Sequence, residues 1–406
     1  MEDGVFFVLY FFAGMKSFVP VIFVLFLSAC GLGQVEVGTH SAEDGIWYGP
    51  SYGRHMSGTV YAVGVDYPDG YDWRADAEKG QVKCALVMFA DGIPVLRIPA
   101  GDIHEVSTDN SRCRIRNGCL YTDYTDGVTT VLKRDGKEFA RYDGAEEVMC
   151  LEVFSGEVHS LGRQEGGTGF VYRVDGKIVL ERADADVYPH LAEYDDSVRF
   201  CFSQECMTEE GTQLRHYQVA QGTVKQVTGL NEASKVWDMK VYEGRVVALA
   251  SFPEKEPVLV YEDRQEHAWY LGRQDMVSCG FCSTRRLCVC VRCRYSDEGR
   301  MSDILWMGED IWTVYQFGRT LSSVWADDDV CCAVINPADG HVGSICCGAR
   351  SDDMPVGYSV CSRECMVRKD GTVHVGLSSG RDVPPLIWSD GEVREIDING
   401  PLLCLR

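Results

Sequence analysis

The sequence predicts an all-β chain of eight four-stranded antiparallel units, on three observations. Short polar turns, most carrying Gly or Asp, sort into two interleaved series that each recur about every 43 residues. The first series is Asp91-Gly92, Asp135-Gly136, Asp175-Gly176, Gln221-Gly222, Arg264-Gln265, Glu309-Asp310, Ser351-Asp352 and Asp390-Gly391. The second is Ser57-Gly58, Asn117-Gly118, Ser155-Gly156, Asp196-Ser197, Glu243-Gly244, Arg285-Arg286, Asp328-Asp329 and Asp370-Gly371, each followed at once by an apolar, β-branched run. Finally, the segment from Pro401 to Arg406 has the apolar character of a strand but no unit of its own. A repeat of this length with two hairpin turns is one sheet of four short strands. Eight such sheets match an eight-bladed β-propeller, with seven blades as the alternative count. A solenoid would need capping units at both ends, which the regular final unit and its extra strand argue against.

The elements follow in order. Met15, Lys16 and Ser17 precede an apolar core from Phe18 to Leu27 and then Leu27-Ser28-Ala29-Cys30, which reads as a secretory signal over residues 1–29. Residues 1–14 carry Glu2 and Asp3 and no basic group, so Met15 is the expected start. The last four residues of the signal resemble the lipobox of bacterial lipoproteins. That resemblance implies that the Cys30 thiol receives a diacylglycerol. An uncleaved membrane anchor is the alternative, because Val5 to Phe12 is apolar too. Gly31 to Tyr52 is polar and rich in Gly, so residues 30–56 are expected to be a flexible tether and residues 57–406 the propeller.

Units three and eight show the template best. Glu147 to Phe154 leads through Ser155-Gly156 to Glu157 onward, then Gly169 to Val174 reaches Asp175-Gly176 and the outer strand from Lys177. Unit eight repeats it with Cys365 to Arg368, Thr372 to Leu377, Pro385 to Ser389 and Glu392 to Asp397. In unit one the strand after Ser57-Gly58 begins near Thr59, and His55-Met56 is too short to supply an inner strand before it. The last six residues are therefore expected to pair with residues 59–67, which leaves no free edge at the seam.

A chain of 406 residues with 45% apolar residues can bury a large core, and its formal charge of −22 argues against nucleic-acid or anionic-membrane surfaces as partners. Cys30 apart, eighteen of the nineteen cysteines remain to be placed. Cys113, Cys150, Cys279, Cys365 and Cys404 fall on predicted inner strands, where thiols pack as small hydrophobes. Cys331-Cys332 and Cys346-Cys347 flank a hairpin centred near Asp339. A symmetric register there sets Cys331 opposite Cys347 and Cys332 opposite Cys346, two candidate disulfides. Cys279, Cys282, Cys288, Cys290 and Cys293 lack a Gly-containing knuckle, and strand neighbours three apart point to opposite faces, so no metal site is expected.

The chain has no Gly-x-Ser-x-Gly, His-Glu-x-x-His, phosphate loop or dinucleotide fingerprint, so no catalytic residue and no cofactor is assigned. Binding in such a fold is expected where loops converge at the channel mouth. The longest loop, Pro68 to Gln81, carries Tyr71, Asp72, Trp73 and Arg74, a mixture of aromatic faces and polar groups that suits a sugar ring. The alternative is a loop packed on its own aromatics. His104, Tyr188 and His190 are further rim candidates. Asp327-Asp328-Asp329 coincides with a turn and reads as solvated.

Trp388 to Gly391, Tyr172 to Gly176 and, imperfectly, Phe89 to Gly92 form a repeat that resembles predicted bacterial lipoproteins with propeller repeats. The resemblance implies architecture and export. The expectation is a lipid-anchored, monomeric binding or scaffolding module on the periplasmic or cell-surface side of a bacterial membrane, with a protein or glycan partner. A carbohydrate-active hydrolase or lyase is the alternative, and it requires carboxylates converging with a basic or aromatic group at the channel mouth.

Overall fold

The computed structural model describes residues 39–40, 45–49, 52, 58–71, 83–100, 113–125, 128–164, 167–208, 211–233 and 235–252, then the strands and a few adjoining residues between 258 and 347, then residues 350–360, 364–379 and 383–406. The expected signal segment, Cys30, Asp72, Trp73, Arg74 and His104 lie outside these described residues, as do the expected turns at Arg285-Arg286 and Asp328-Asp329.

The class is all-β, with eight antiparallel sheets among the described residues. Seven of them take four consecutive strands in chain order. The second sheet is Cys113–Arg116, Cys119–Thr125, Thr129–Arg134 and Lys137–Asp143. The third to eighth sheets begin with Glu146–Phe154, Ala185–Tyr194, Lys235–Tyr242, Gln274–Phe281, Thr320–Ala326 and Met366–Lys369. The first sheet orders its strands Leu402–Leu405, Tyr61–Asp66, Cys84–Ala90, Ile93–Ala100, Trp47–Tyr48 and Thr39–His40. Its C-terminal strand pairs where the sequence places it, with Ala62 opposite Leu405 and Val63 opposite Cys404.

Burial falls off from the inner to the outer strands. In the third sheet Gly169–Val174 is buried along its middle, whereas the outer strand Lys177–Ala183 is mostly exposed and carries charge. Middle strands are covered on both faces by neighbouring sheets, which is why they read as continuous apolar runs. The layers between sheets form shared cores. Phe170 and Tyr172 of the third sheet pack on Phe200 of the fourth, with ring centroids 5.7 and 4.9 Å apart.

The Asp-Gly turns have a specific cause. Asp91, Asp135 and Asp175 adopt φ of 50°, 53° and 48°, each followed by a Gly at positive φ, as a two-residue type I′ turn demands. Each Asp also accepts a backbone N–H from the start of the second strand of its sheet or the residue just before it, Val60 at 2.9 Å, Leu120 at 2.7 Å and Val158 at 2.9 Å. Its own N–H donates to the carbonyl of that same residue. Asp thus satisfies a strand edge that a third-strand residue no longer reaches.

Turns without Gly are displaced from their expected places. Tyr261 pairs with Arg264, Met307 with Asp310 and Cys347 with Arg350, so Arg264-Gln265, Asp310 and Ser351-Asp352 lie in strands and the connections fall just before them. In the fourth sheet the left-handed pair is Asp195 and Asp196, one residue earlier than expected, and Ser197 opens the strand. Asp tolerates positive φ nearly as well as Asn, so two adjacent Asp residues serve where no Gly is present.

The segment expected as a tether is, where described, docked. Trp47 and Tyr48 pair with Arg97 and Leu96, and the Gly49 N–H donates to the Val95 carbonyl at 2.8 Å. Ile46 is buried in the core shared by the first two sheets. An unpaired outer strand offers a free row of backbone groups, and this segment covers it.

The cysteine hairpin is shifted by one residue from the symmetric register. Cys332 stands opposite Cys347 and Ala333 opposite Cys346, and a disulfide joins Cys332 to Cys347. Burial explains the register. Cys332, Val334 and Ile345 face one core, and a one-residue slip would turn Ile345 out of it. Cys113, Cys150, Cys365 and Cys404 are buried, with Cys365 just ahead of its strand, while the Cys279 side chain lies outside the described residues.

Candidate functional site

Among the rim candidates, Tyr71 packs on Tyr67 with ring centroids 4.9 Å apart, so this part of the long loop rests on its own aromatics. Beside it lies a cleft of about 330 Å³ lined by Asp66, Tyr67, Pro68, Lys83 and Arg97 among others. Arg97 binds Asp66 at 2.6 Å, and Asp66 also accepts the Asn399 backbone N–H at 3.0 Å. Asn399 further donates its side-chain amide to the Pro68 carbonyl, so the turn before the last strand shapes the cleft. Burial raises the Tyr67 phenol above its ordinary range, so it serves as a neutral wall.

Tyr188 and His190 sit on the first strand of the fourth sheet, around a bulge between Tyr188 and Ala192. The Tyr188 hydroxyl lies 3.1 Å from Ser203 Oγ, and Ser203 Oγ lies 2.6 Å from His216 Nδ1. This chain, buried at Ser203 and His216 and half-buried at Tyr188, crosses three strands of one sheet. Burial pushes Tyr188 up to about 12 and His216 down to about 4, which keeps both neutral near pH 7. Tyr188 is thus an internal tie. His190 Nε2 lies 3.5 Å from Asp238 Oδ1 of the fifth sheet, and Asp238 Oδ2 accepts the Phe281 N–H of the sixth at 2.9 Å. Among the described residues no contact joins Tyr71 to Tyr188 or His190.

A different group of side chains converges from four sheets, the first, second, third and eighth. Arg114 of the second sheet bonds Glu152 of the third at 2.7 Å and lies 3.8 Å from Glu364, which precedes the first strand of the eighth. Arg406, which follows the C-terminal strand of the first sheet, binds the other oxygen of Glu364. Cys113 and Cys404, one residue before Arg114 and two before Arg406, bring their sulfurs to 3.7 Å. Burial disfavours charge on Arg114, but the Glu152 and Glu364 carboxylates outweigh it and hold the guanidinium charged, above its ordinary range. Cys150, also enclosed here, is pushed up to about 12, chiefly by burial.

The registers place three of these residues at equivalent positions. Arg114 stands opposite Tyr121, Glu152 opposite His159, and Arg406 exchanges both backbone hydrogen bonds with Tyr61. Lys240, opposite Val247 in the fifth sheet, occupies the same place. A sequence signal existed: Arg114, Glu152 and Lys240 each stand three residues before a turn of the second series. What it could not give were Arg406 and Glu364, neither of which stands three residues before such a turn.

No family model matches the chain, and no curated protein matches it. Among solved structures it is similar to the β-propeller domain of the Trilobed protease from Pyrococcus furiosus, at 9% identity and a TM-score of 0.42, covering 74% of this chain and 95% of that one. It is also similar to the Pyrococcus horikoshii acylaminoacyl peptidase, at 10% identity and a TM-score of 0.43, over 82% of this chain and 56% of the peptidase. A eukaryotic initiation factor gives 9% identity and a TM-score of 0.41, covering 90% of this chain and 88% of that one.

Proposed function

We propose that the chain is an eight-bladed β-propeller, its ring completed by the C-terminal strand, that acts as a lipid-anchored, extracytoplasmic binding or scaffolding module for a protein partner. Contacts between the first strands of successive sheets support the ring. Cys113–Arg116 touches Glu146–Phe154, which touches Ala185–Tyr194, and so on to Gln274–Phe281. At the other end Thr320–Ala326 touches Met366–Lys369, which touches Leu402–Leu405, which touches Cys113–Arg116. The anchor rests on Leu27 to Cys30 in the sequence.

One observation carries the binding role. The strands Ser197–Thr208 and Gly211–Ala220 pair from Arg199 opposite Ala220 to Thr208 opposite Gly211, but the fourth strand Thr223–Gln226 covers only Tyr217 to Ala220. On the other side the first strand reaches only to Gln204, opposite Ala185, so residues 205–208 and 211–214 continue as a two-stranded ribbon. Met207 opposes Thr212 and Leu214 opposes Glu205, so Met207 and Leu214 share a face, at 83% and 50% exposure. A bare ribbon is marginal in water, and apolar groups on its tip suit a protein surface.

The test is affinity capture from envelope membranes with wild type and a Met207→Glu/Leu214→Glu variant of equal thermal stability. A stoichiometric partner lost at least tenfold with the variant supports the reading. Equal capture by both, or binding only on a glycan array, contradicts a protein-docking ribbon. Loss of lipid labelling in Cys30→Ser tests the anchor.

A second reading, a carbohydrate-active hydrolase or lyase, is favoured by the convergence of Glu152 and Glu364 on Arg114. Release of reducing ends from a glycan by wild type and not by Glu152→Gln would support it.

A further inference from the structure

The thiols of Cys113 and Cys404 lie 3.7 Å apart, both buried, across a sequence separation of 291 residues. Cys404 sits on the C-terminal strand of the first sheet and Cys113 opens the second. The contact therefore bridges the place where the end of the chain meets its early part. Otherwise noncovalent contacts hold the C-terminal strand: pairs such as Ala62 with Leu405, the Cys365 thiol donating to the Leu402 carbonyl at 3.2 Å, and the Arg406–Glu364 ion pair. Among the described residues the chain already carries a disulfide, Cys332–Cys347.

We infer that Cys113 and Cys404 form a disulfide clasp that joins the C-terminal strand covalently to the second sheet when the protein folds in the presence of a disulfide oxidant. In van der Waals contact, the two sulfurs need only a short approach to reach bonding distance, about 2 Å. The thiol contact, helped by the Arg406 and Arg114 guanidiniums, favours ionisation of Cys404, while the same contact and burial hold Cys113 protonated. These shifts belong to the docked seam and favour closure there, whereas in the undocked strand Cys404 is the thiol exposed to the oxidant and so attacks first. Its thiolate displaces one thiolate from the oxidant, such as oxidised glutathione, and forms a mixed disulfide. Cys113 then attacks the Cys404 sulfur and releases the second glutathione thiolate. The two protons lost by the protein end on the two glutathione thiols, and the oxidant takes both electrons. Burial excludes the oxidant from the folded seam, so exchange occurs while the C-terminal strand is undocked.

Closing a loop of this length constrains the unfolded chain more than any local bridge does. The clasp does not depend on which partner the module binds.

The experiment is refolding of the full chain from reductant and denaturant, in a glutathione redox buffer or in dithiothreitol. Thiols are alkylated in denaturant and the digest is mapped by mass spectrometry. The expected result is a peptide pair joined through Cys113 and Cys404 only after oxidative refolding. The melting temperature should then exceed that of the reduced protein by several degrees. In Cys113→Ala, which keeps a small apolar side chain at the site, the Cys404 peptide should alkylate fully and the thermal increment should shrink to whatever the Cys332–Cys347 bond supplies. Full alkylation of both thiols in oxidised, folded wild type would overturn the inference. So would pairing of Cys404 with Cys365 in place of Cys113.

Discussion

Asp135 accepts the backbone N–H of Leu120 at 2.7 Å and returns its own N–H to the Leu120 carbonyl at the same distance, closing a two-way bond between an outer turn and the second strand of its sheet. Asp91 with Val60 and Asp175 with Val158 repeat it. The turn residue is therefore selected twice, for a left-handed backbone and for a carboxylate. Asp135→Ala should cost about 2 kcal/mol, from an unpaired buried N–H and strain at positive φ, and Asp135→Asn clearly less. Urea unfolding midpoints check this, and equal losses in the two variants would count against a role for the side-chain oxygen.

Acid should weaken the fold through its buried histidines. Burial lowers His216 to about 4 and lowers His159 and His374 in the same direction, whereas the unfolded chain titrates near 6.5. The unfolded state thus binds more protons in between, so this stability is complete above about pH 6.5 and is lost as pH falls toward 4. His216 alone accounts for about 3 kcal/mol of that change. Thermal melts from pH 7 to pH 4 should show it, with a shallower fall in His216→Gln.

Arg114 is nearly enclosed, while Glu152 and Glu364 keep partial access to water. Arg114→Met should cost about 2 kcal/mol, less than for a fully buried pair, because the stranded carboxylates can rehydrate. Adding Glu152→Gln should recover part of the loss. A double variant no more stable than Arg114→Met would show that packing, and not charge, sets the value of this position.

The Cys332–Cys347 bond closes a separation of 15 residues, for which chain entropy predicts about 3 kcal/mol. Cys332→Ala/Cys347→Ala should lose roughly that amount relative to oxidised protein. Identical stability with and without the bond would contradict it.

Much of the fold was legible because positive φ is written in residue type. Among the described turns of the two series, where Gly followed Asp, Asn, Ser, Gln or Glu the turn is where the sequence places it, as at Asn117-Gly118 and Gln221-Gly222. Where Gly was missing, as at Arg264-Gln265 or Ser351-Asp352, nothing local fixed the left-handed pair and the reading slipped into the strand. The hairpin of Cys332 and Cys347 slipped for a different reason, since its register is set by the neighbouring core. The candidate site was less legible. Arg114, Glu152, Glu364 and Arg406 are far apart in sequence, and only the meeting of four sheets makes them neighbours. Tyr188 shows the reverse, a loop-like aromatic that proves to be a half-buried tie within a sheet.

The account rests most on the C-terminal strand completing the first sheet. Tyr61 and Arg406 exchange backbone hydrogen bonds at 2.7 and 2.9 Å, so native-state hydrogen exchange at these two amides tests it directly. Both amides should be protected and open with one free energy, and removal of residues 401–406 should release Tyr61. Protection at Tyr61 alongside free exchange at Arg406 would contradict the account.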